Sequence, residues 1–362
     1  PASEVERANM RAMLREGMEE GAFGLSTGLD YPPGSYADTD ELVELAQEAG
    51  RHCGIYHTHL RNKLGDQFLD PVKEALEIGQ RGEIPCHLTH FYQKLTHSGS
   101  AEQLLGLVDE TVAQGQDVTM DCFHYAYSST RLLILIPEWA FNGGPERLKQ
   151  VLRSPEGRER LRQEIRPRSG SFTDLMLTNF KQPHNRKFEG KSLAESADMM
   201  EKSEVDTICD LSLDEDLQIS YVSPGPNLAT LPDFITHPRT MIGTDAVLLG
   251  EYPNPRSYGT FPTILAEYVR EEGRLTLEEA IRKMTFMAAH RLDIRERGML
   301  RDGMKADIVV FDPQTVKSPS TVRDPKQFPI GIEYVLVNGR IVVDQGQHTG
   351  VLAGRGLRHG RA

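Results

Sequence analysis

The sequence predicts an α/β protein that combines a parallel sheet or (β/α) barrel with a small β domain near the C-terminal end. Short runs of apolar and β-branched residues alternate with amphipathic helical patterns through about residue 125. This alternation is typical of parallel strands joined by helices. Metal-ligand side chains end several of the runs, and after Ala306 strand patterns occur without helices.

The first third of the chain alternates regularly between the two patterns. Helices are predicted at 5–18, 38–49, 71–79 and 104–115, and strands at 22–26, 55–59, 84–90 and 118–123. Asp38 and Glu41 have the spacing of a capping box, and Pro71 suits the first turn of a helix. Together these elements predict three consecutive β-α-β units.

The alternation loosens between about residues 128 and 237. Helical stretches dominate there, and only 174–177 and 218–222 resemble strands. An insertion of this length in a barrel usually forms the wall or lid of the site. We therefore predict a lid over this region.

The last part of the chain returns to the barrel pattern and then leaves it. A strand is predicted at 240–245, helices at 261–269 and 277–287, and further strands at 308–311, 334–337 and 340–343. Asn338-Gly339 between two alternating runs is a strong hairpin signal. We predict a partial barrel catalytic domain over residues 1–305 and the C-terminal part of a small β-sandwich domain over residues 306–362.

Composition excludes several classes of protein. The net charge of −12 offers no clustered basic surface for a nucleic acid. No apolar stretch approaches the roughly 18 residues that a membrane span needs. The four cysteines have no CxxC spacing, which indicates reduced thiols and predicts a cytoplasmic location.

Three residues in distant parts of the chain, His59, His90 and Asp245, each end a strand-like run. The carboxyl ends of barrel strands converge on one mouth, so these side chains can meet there. Two imidazoles and a carboxylate suit a divalent metal such as zinc, which activates water. Asp245 could also act as the general base that accepts a proton from this water.

The sequence leaves two roles possible for His57, a histidine close to the predicted metal ligands. His57 and His59 point to the same face of a strand, so His57 could be a second ligand, but we favour a packing or hydrogen-bonding role beside the site. His87 and His90 are three residues apart and are expected to face opposite ways, so that only one enters the barrel.

In the Pro-rich loop after Asp245, Arg256 could hold a substrate carboxylate through two hydrogen bonds.

These motifs resemble one known family, the D-aminoacylase (N-acyl-D-amino-acid deacylase) group of the amidohydrolase superfamily. The resemblance covers essentially the whole chain. It rests on GAFGLSTG (21–28), YPP (31–33), THLR (58–61), LTH (88–90), SST (128–130), MIGTD (241–245), PRSYGTFP (255–262), ADIVVF (306–311), VNG (337–339) and HTG (348–350).

The resemblance implies a (β/α)8 TIM-like metal-dependent hydrolase barrel and assigns roles to individual residues. His59 and His90 match the two metal-binding histidines of the middle strands, and Asp245 matches the last-strand aspartate, the general base. Arg256 is expected to hold the substrate α-carboxylate, and the pocket residues are expected to be Tyr31 and Ser129. The implied cofactor is one or two zinc ions.

The chain departs from the family pattern in three respects. The His-x-His motif of the first barrel strand has no counterpart, because the chain is expected to begin at about the fourth strand, without the first three. Phe123 stands where relatives often have Tyr, and Tyr92 where many have Lys.

The expected activity is hydrolysis of N-acyl-D-amino acids, with a small-molecule substrate and neither nucleic acid nor membrane as partner. Two alternatives remain open: a cyclic-amide hydrolase of the dihydroorotase or hydantoinase type, and a catalytically incomplete fragment or binding subunit. A homo-oligomer is also an open alternative.

Overall fold

A computed structural model describes residues 2–63, 65–168 and 170–360. The strands are β1 Gly24–Gly28, β2 Ile55–His59, β3 Cys86–Leu88, β4 Val118–Cys122, β5 Tyr127–Arg131, β6 Met176–Thr178, β7 Ser220–Pro224, β8 Thr240–Ile242, β9 Ile308–Phe311, β10 Ile332–Val337, β11 Arg340–Asp344 and β12 Gln347–His348. The main sheet has the order β1-β2-β3-β4-β8, and all of its strand pairs are parallel. The predicted parallel α/β architecture is confirmed.

Helices connect the strands of the main sheet or pack beside the other elements. Their bounds are α1 Glu4–Glu19, α2 Thr39–Arg51, α3 Asp70–Arg81, α4 Ala101–Ala113, α5 Gly144–Arg153, α6 Pro155–Glu164, α7 Leu193–Met200, α8 Glu204–Asp214, α9 Leu231–Thr236, α10 Arg256–Thr263, α11 Leu277–Met284 and α12 Phe286–Arg291. A π-helical segment, Ile264–Glu271, continues α10. Asp38 caps α2 by accepting a hydrogen bond from the backbone N of Glu41 at 2.8 Å. Pro71 lies in the first turn of α3.

The two faces of the main sheet differ in chemistry. In β2 the side chains of Tyr56 and Thr58 are fully buried on the helix-covered face. His57 and His59 occupy the alternate positions and therefore point to the opposite face. The apolar core fills the space between sheet and helices, and the polar face is left for a site.

The region from Tyr127 to Pro224 forms a separate packing unit. Its three-stranded sheet has the order β5-β7-β6 and is antiparallel. Helices α5 to α8 accompany this sheet around a second apolar cluster that includes Leu152, Ile208 and Tyr221. This unit overlaps the predicted lid region, whose boundaries stay a prediction.

The C-terminal part forms a four-stranded antiparallel sheet of order β12-β11-β10-β9. Asn338 and Gly339 connect β10 to β11 with φ angles of 49° and 76°, the left-handed geometry that an Asn-Gly hairpin requires. The domain boundary predicted near residue 305 stays a prediction. In the described ranges, no helix has both the length and the apolar character needed to cross a membrane.

Two glycines of β1 provide a matched test of how closely β1 and β2 pack. A Cβ atom on Gly24 would lie 2.0 Å from the backbone O of Ile55, whereas one on Gly28 would meet only the Tyr31 side chain at 3.7 Å. We expect Gly24→Ala to lower the free energy of unfolding by at least about 1–3 kcal/mol, because the backbone must shift. Urea denaturation would measure this loss, and Gly28→Ala should unfold at nearly the wild-type concentration. Equal stability of the two variants would contradict the close packing.

Candidate active site

A wide cleft lies at the carboxyl ends of the parallel strands, between the main sheet and the β5-β7-β6 unit, with a volume of about 1730 Å³. Such a position is the usual place for the active site of a barrel enzyme. All six residues singled out in the sequence line this cleft: Tyr31, His59, His90, Ser129, Asp245 and Arg256.

His59 and His90 form the centre of the site. The Nδ1 atom of His59 lies 2.7 Å from Nε2 of His90, and the two rings meet edge to face with centroids 4.6 Å apart. Burial lowers the pKa of His90, and the neighbouring His59 lowers it further. Neutral imidazoles are the form that binds metals.

The backbone at the ends of two strands sets the direction of the site residues. His90 and Asp245 lie just beyond β3 and β8 with φ angles of 40° and 45°, in the left-handed region. For non-glycine residues this conformation is uncommon and is often found at functional sites. Asp121 stabilises it at His90, because its Oδ1 accepts a hydrogen bond from the His90 backbone N at 2.8 Å.

The expectation that His87 and His90 face opposite ways was wrong. His87 stacks on His57, with ring centroids 4.9 Å apart, and His90 contacts His59. Because His57 and His59 share one face of β2, both partners lie on the cleft side of the sheet. The alternation of side chains along a strand does not extend to His90, because β3 ends at Leu88 and the chain then turns.

Asp245 is paired with Arg256. The Nε and Nη2 atoms of Arg256 donate to the backbone O of Asp245 at 3.1 and 2.9 Å, and Nη2 also donates to Oδ2. The guanidinium lies over the ring of Phe123 at 4.2 Å and is 1% exposed. Burial raises the pKa of the Asp245 carboxyl, although the charge of Arg256 opposes this rise.

The structure therefore joins the predicted residues in two pairs, His59 with His90 and Asp245 with Arg256. Within the described ranges, the carboxylate of Asp245 does not join the two imidazoles in a group whose donor atoms all lie within 4.8 Å of one another. The role of Asp245 as a metal ligand stays a prediction.

The two predicted pocket residues lie on different elements that line the cleft, Tyr31 in the loop after β1 and Ser129 on β5. The hydroxyl of Tyr31 lies 2.7 Å from Oγ1 of Thr130, and its ring lies 5.1 Å from that of His59. Ser129 is on β5, next to Ser128, whose hydroxyl lies 3.0 Å from that of Tyr92. Tyr31 thus contacts both His59 and strand β5.

A second group of side chains with atoms that metals accept as ligands lies on the same face of the sheet as His59 and His90. His57, His87 and Asp121 each offer an atom within 4.8 Å of the others. Both ring nitrogens of His87 already have partners: Nδ1 lies 2.8 Å from Thr119 Oγ1, and Nε2 lies 2.9 Å from Asp121 Oδ2. These bonds make the group a support for the His90 backbone, which the same Asp121 carboxylate holds.

Sequence reasoning did not single out Asp30 and Asn62. Oδ2 of Asp30 lies 3.0 Å from Nε2 of His59, and Asn62 donates to both oxygens of this carboxylate. Burial raises the pKa of Asp30, but the hydrogen bond with His59 and the charge of Lys94 outweigh burial and bring the pKa to about 2. The sequence feature that points to Asp30 is its position directly before the predicted pocket residue Tyr31.

Comparison with known proteins gives a consistent result. A model described as the Amidohydrolase family matches residues 168–343. N-acyl-D-aspartate deacylase of Alcaligenes xylosoxydans xylosoxydans is 34% identical over 359 residues, which cover 96% of this chain and 62% of that protein. D-aminoacylase of the same organism is 32% identical, over 98% of this chain and 65% of that protein. The chain is similar to D-aminoacylases over nearly its whole length.

Solved structures agree with this relationship. A D-aminoacylase structure superposes with a TM-score of 0.79 at 28% identity, covering 98% of this chain and 66% of the other. N-acyl-D-glutamate deacylase from Bordetella bronchiseptica, solved with zinc and a phosphonate inhibitor, gives 0.78 at 28% identity, over 98% of this chain and 67% of the other. The predicted TIM-like barrel fold with a separate β domain is confirmed. The chain spans less than two thirds of the length of the curated relatives that it matches.

Proposed function

We propose that this protein hydrolyses the amide bond of N-acyl-D-amino acids to a carboxylate and a free D-amino acid, with zinc as cofactor. The observation that carries the proposal is the His59–His90 pair, in which two nitrogens from different strands converge to 2.7 Å inside the cleft. Similarity to proteins named N-acyl-D-aspartate deacylase, D-aminoacylase and N-acyl-D-glutamate deacylase supports the substrate class.

The residue types that line the cleft suit a zinc ion. His59 and His90 offer imidazole nitrogens and Asp245 a carboxylate, the ligand types that zinc accepts. When bound, the ion would act as a Lewis acid on the amide carbonyl and increase the acidity of water. The number of ions, one or two, stays a prediction.

Asp245 is the proposed general base. Its side chain is 37% exposed at the cleft, and its pKa lies above the usual value of an aspartate, which favours proton uptake from water. Asp245 would take a proton from the attacking water and deliver it to the leaving amine. Its pairing with Arg256 keeps the carboxylate in a defined orientation.

Arg256 is proposed to bind the α-carboxylate of the substrate. The hydrogen bonds to Asp245 use Nε and Nη2, and Nη1 takes no part in them. The stack on Phe123 holds the plane of the guanidinium. Tyr31 and Ser129 are proposed to line the pocket for the rest of the substrate.

The cyclic-amide alternative has weaker support. A hydantoinase from Thermus sp. superposes with a TM-score of 0.52 at 16% identity, a likeness that extends to the fold alone.

The cytoplasmic location and a homo-oligomeric state also stay predictions.

The proposal is tested by zinc content and stereospecific hydrolysis. The purified protein, in its full natural length, should contain zinc and cleave N-acetyl-D-amino acids while leaving the L-isomers intact. Activity confined to hydantoins or other ring substrates would replace the proposal with the cyclic-amide alternative. Stoichiometric zinc without turnover of N-acyl-D-amino acids or ring substrates would contradict the proposed activity. Substoichiometric zinc without turnover would favour a binding subunit or an incomplete catalytic unit.

A further inference from the structure

Asp30 lies in the loop that follows β1, and its side chain is 6% exposed. It contacts the edge of the His59 ring that faces away from His90: Nε2 of His59 is 3.0 Å from Asp30 Oδ2, whereas Nδ1 is 2.7 Å from His90 Nε2. The two ring nitrogens of His59 therefore have different neighbours. Because Asp30 meets the opposite edge of the ring, it cannot share an ion with the His59 Nδ1 and His90 Nε2 atoms.

Asn62 holds the Asp30 carboxylate in place. Its backbone N donates to Oδ1 at 2.7 Å, and its side-chain Nδ2 donates to Oδ2 at 2.8 Å. The guanidinium of Arg168 lies 3.8 Å from Oδ2 and contributes a positive charge nearby. With donors on both oxygens, the carboxylate has little freedom to rotate.

This contact determines which nitrogen of His59 carries the proton. A carboxylate only accepts hydrogen bonds, so Nε2 of His59, 3.0 Å from Asp30 Oδ2, is the donor of this contact. The Asn62 Nδ2 atom is farther from Nε2, at 3.4 Å, and donates to Asp30 Oδ2 at 2.8 Å. A neutral imidazole has a single N–H group, which leaves the lone pair on Nδ1. Nδ1 is the nitrogen that faces His90 and the cleft.

We propose that Asp30 is a positioning residue that keeps His59 in the Nε2–H tautomer and aims its Nδ1 lone pair at the metal site. The inference rests on the metal-binding role proposed above for His59. Outer carboxylates that bind a ligating imidazole fix its orientation and increase its basicity, and their loss typically costs about 10–100-fold in metal affinity.

The first test observes the tautomer directly in the metal-free protein. Long-range ¹H–¹⁵N correlation of ¹⁵N-histidine-labelled protein, assigned with a His59→Gln sample, should show His59 protonated at Nε2. Protonation of His59 at Nδ1 in the wild-type protein would overturn the proposal. This measurement needs neither zinc nor turnover, so its outcome is separate from that of the proposed hydrolysis.

The second test measures zinc affinity by competition with a chromophoric chelator. Asp30→Ala should weaken zinc binding about 10–100-fold, and Asp30→Asn, which keeps one acceptor oxygen, should lie between it and the wild type. Glu138→Gln removes a carboxylate charge from the same cleft and should bind zinc as the wild type does. Circular dichroism and the thermal midpoint verify that each variant is folded. Unchanged zinc affinity in folded Asp30→Ala would overturn the proposal.

Discussion

Replacing Asp245 by Asn is expected to lower kcat for N-acyl-D-amino acid hydrolysis by about 10²–10⁴-fold, the usual contribution of a general acid–base residue. The amide has nearly the shape of the carboxylate but cannot accept a proton from water. Its oxygen can still accept from Nη2 of Arg256, so the pairing seen in the structure is retained in part. Steady-state kinetics with an N-acetyl-D-amino acid would measure the loss.

Asp216→Asn is the matched control for this experiment. Asp216 also lines the cleft, but it is exposed and forms an ion pair with Lys149 at 2.8 Å. Its φ of 49° is one that asparagine tolerates, so the substitution should leave the backbone unchanged. We expect wild-type kcat in this variant. Hydrolysis at the wild-type rate in Asp245→Asn would exclude Asp245 as the base.

Replacing His59 by Asn is expected to weaken zinc binding by more than the roughly 10–100-fold that loss of an outer-shell partner costs, with a parallel loss of turnover. The variant removes one of the two nitrogens that converge in the cleft, and His90 alone offers a single imidazole. Zinc analysis after dialysis and a chelator titration would measure the effect.

His57→Asn distinguishes a ligand from a neighbour on the same strand. His57 lies two residues earlier on the same face of β2, where it stacks on His87. If His57 only packs there, its replacement should leave zinc content and turnover close to wild type. Loss of zinc in His57→Asn with retention in His59→Asn would reverse the assignment and make the group of His57, His87 and Asp121 the metal site.

The ends of the strands show how far sequence reasoning extends. His59 is the last residue of β2, as its pattern predicts. His90 and Asp245 were placed at the ends of longer strands, but β3 ends at Leu88 and β8 at Ile242. Both residues instead adopt left-handed backbone conformations, which alternation of apolar and polar residues does not encode.

The contacts made by Asp30 and Arg256 could not be predicted for a related reason. Asp30 contacts His59 29 positions away. Such a pairing depends on the register of β1 against β2 and on the path of the loop after β1. Arg256 is predicted from the sequence to hold a substrate carboxylate, whereas its hydrogen bonds to Asp245 depend on the path of the turn after β8.

The sequence by itself determined the parallel α/β architecture, the C-terminal hairpin and six of the residues that line the cleft, because periodicity, turn residues and motifs are local properties of the chain. The tertiary structure decided how those residues pair: His59 with His90 and Asp30, and Asp245 with Arg256. Side-chain partners at the mouth of a sheet depend on strand register and on the dihedral angles just beyond each strand, and these are set only when the whole sheet has formed.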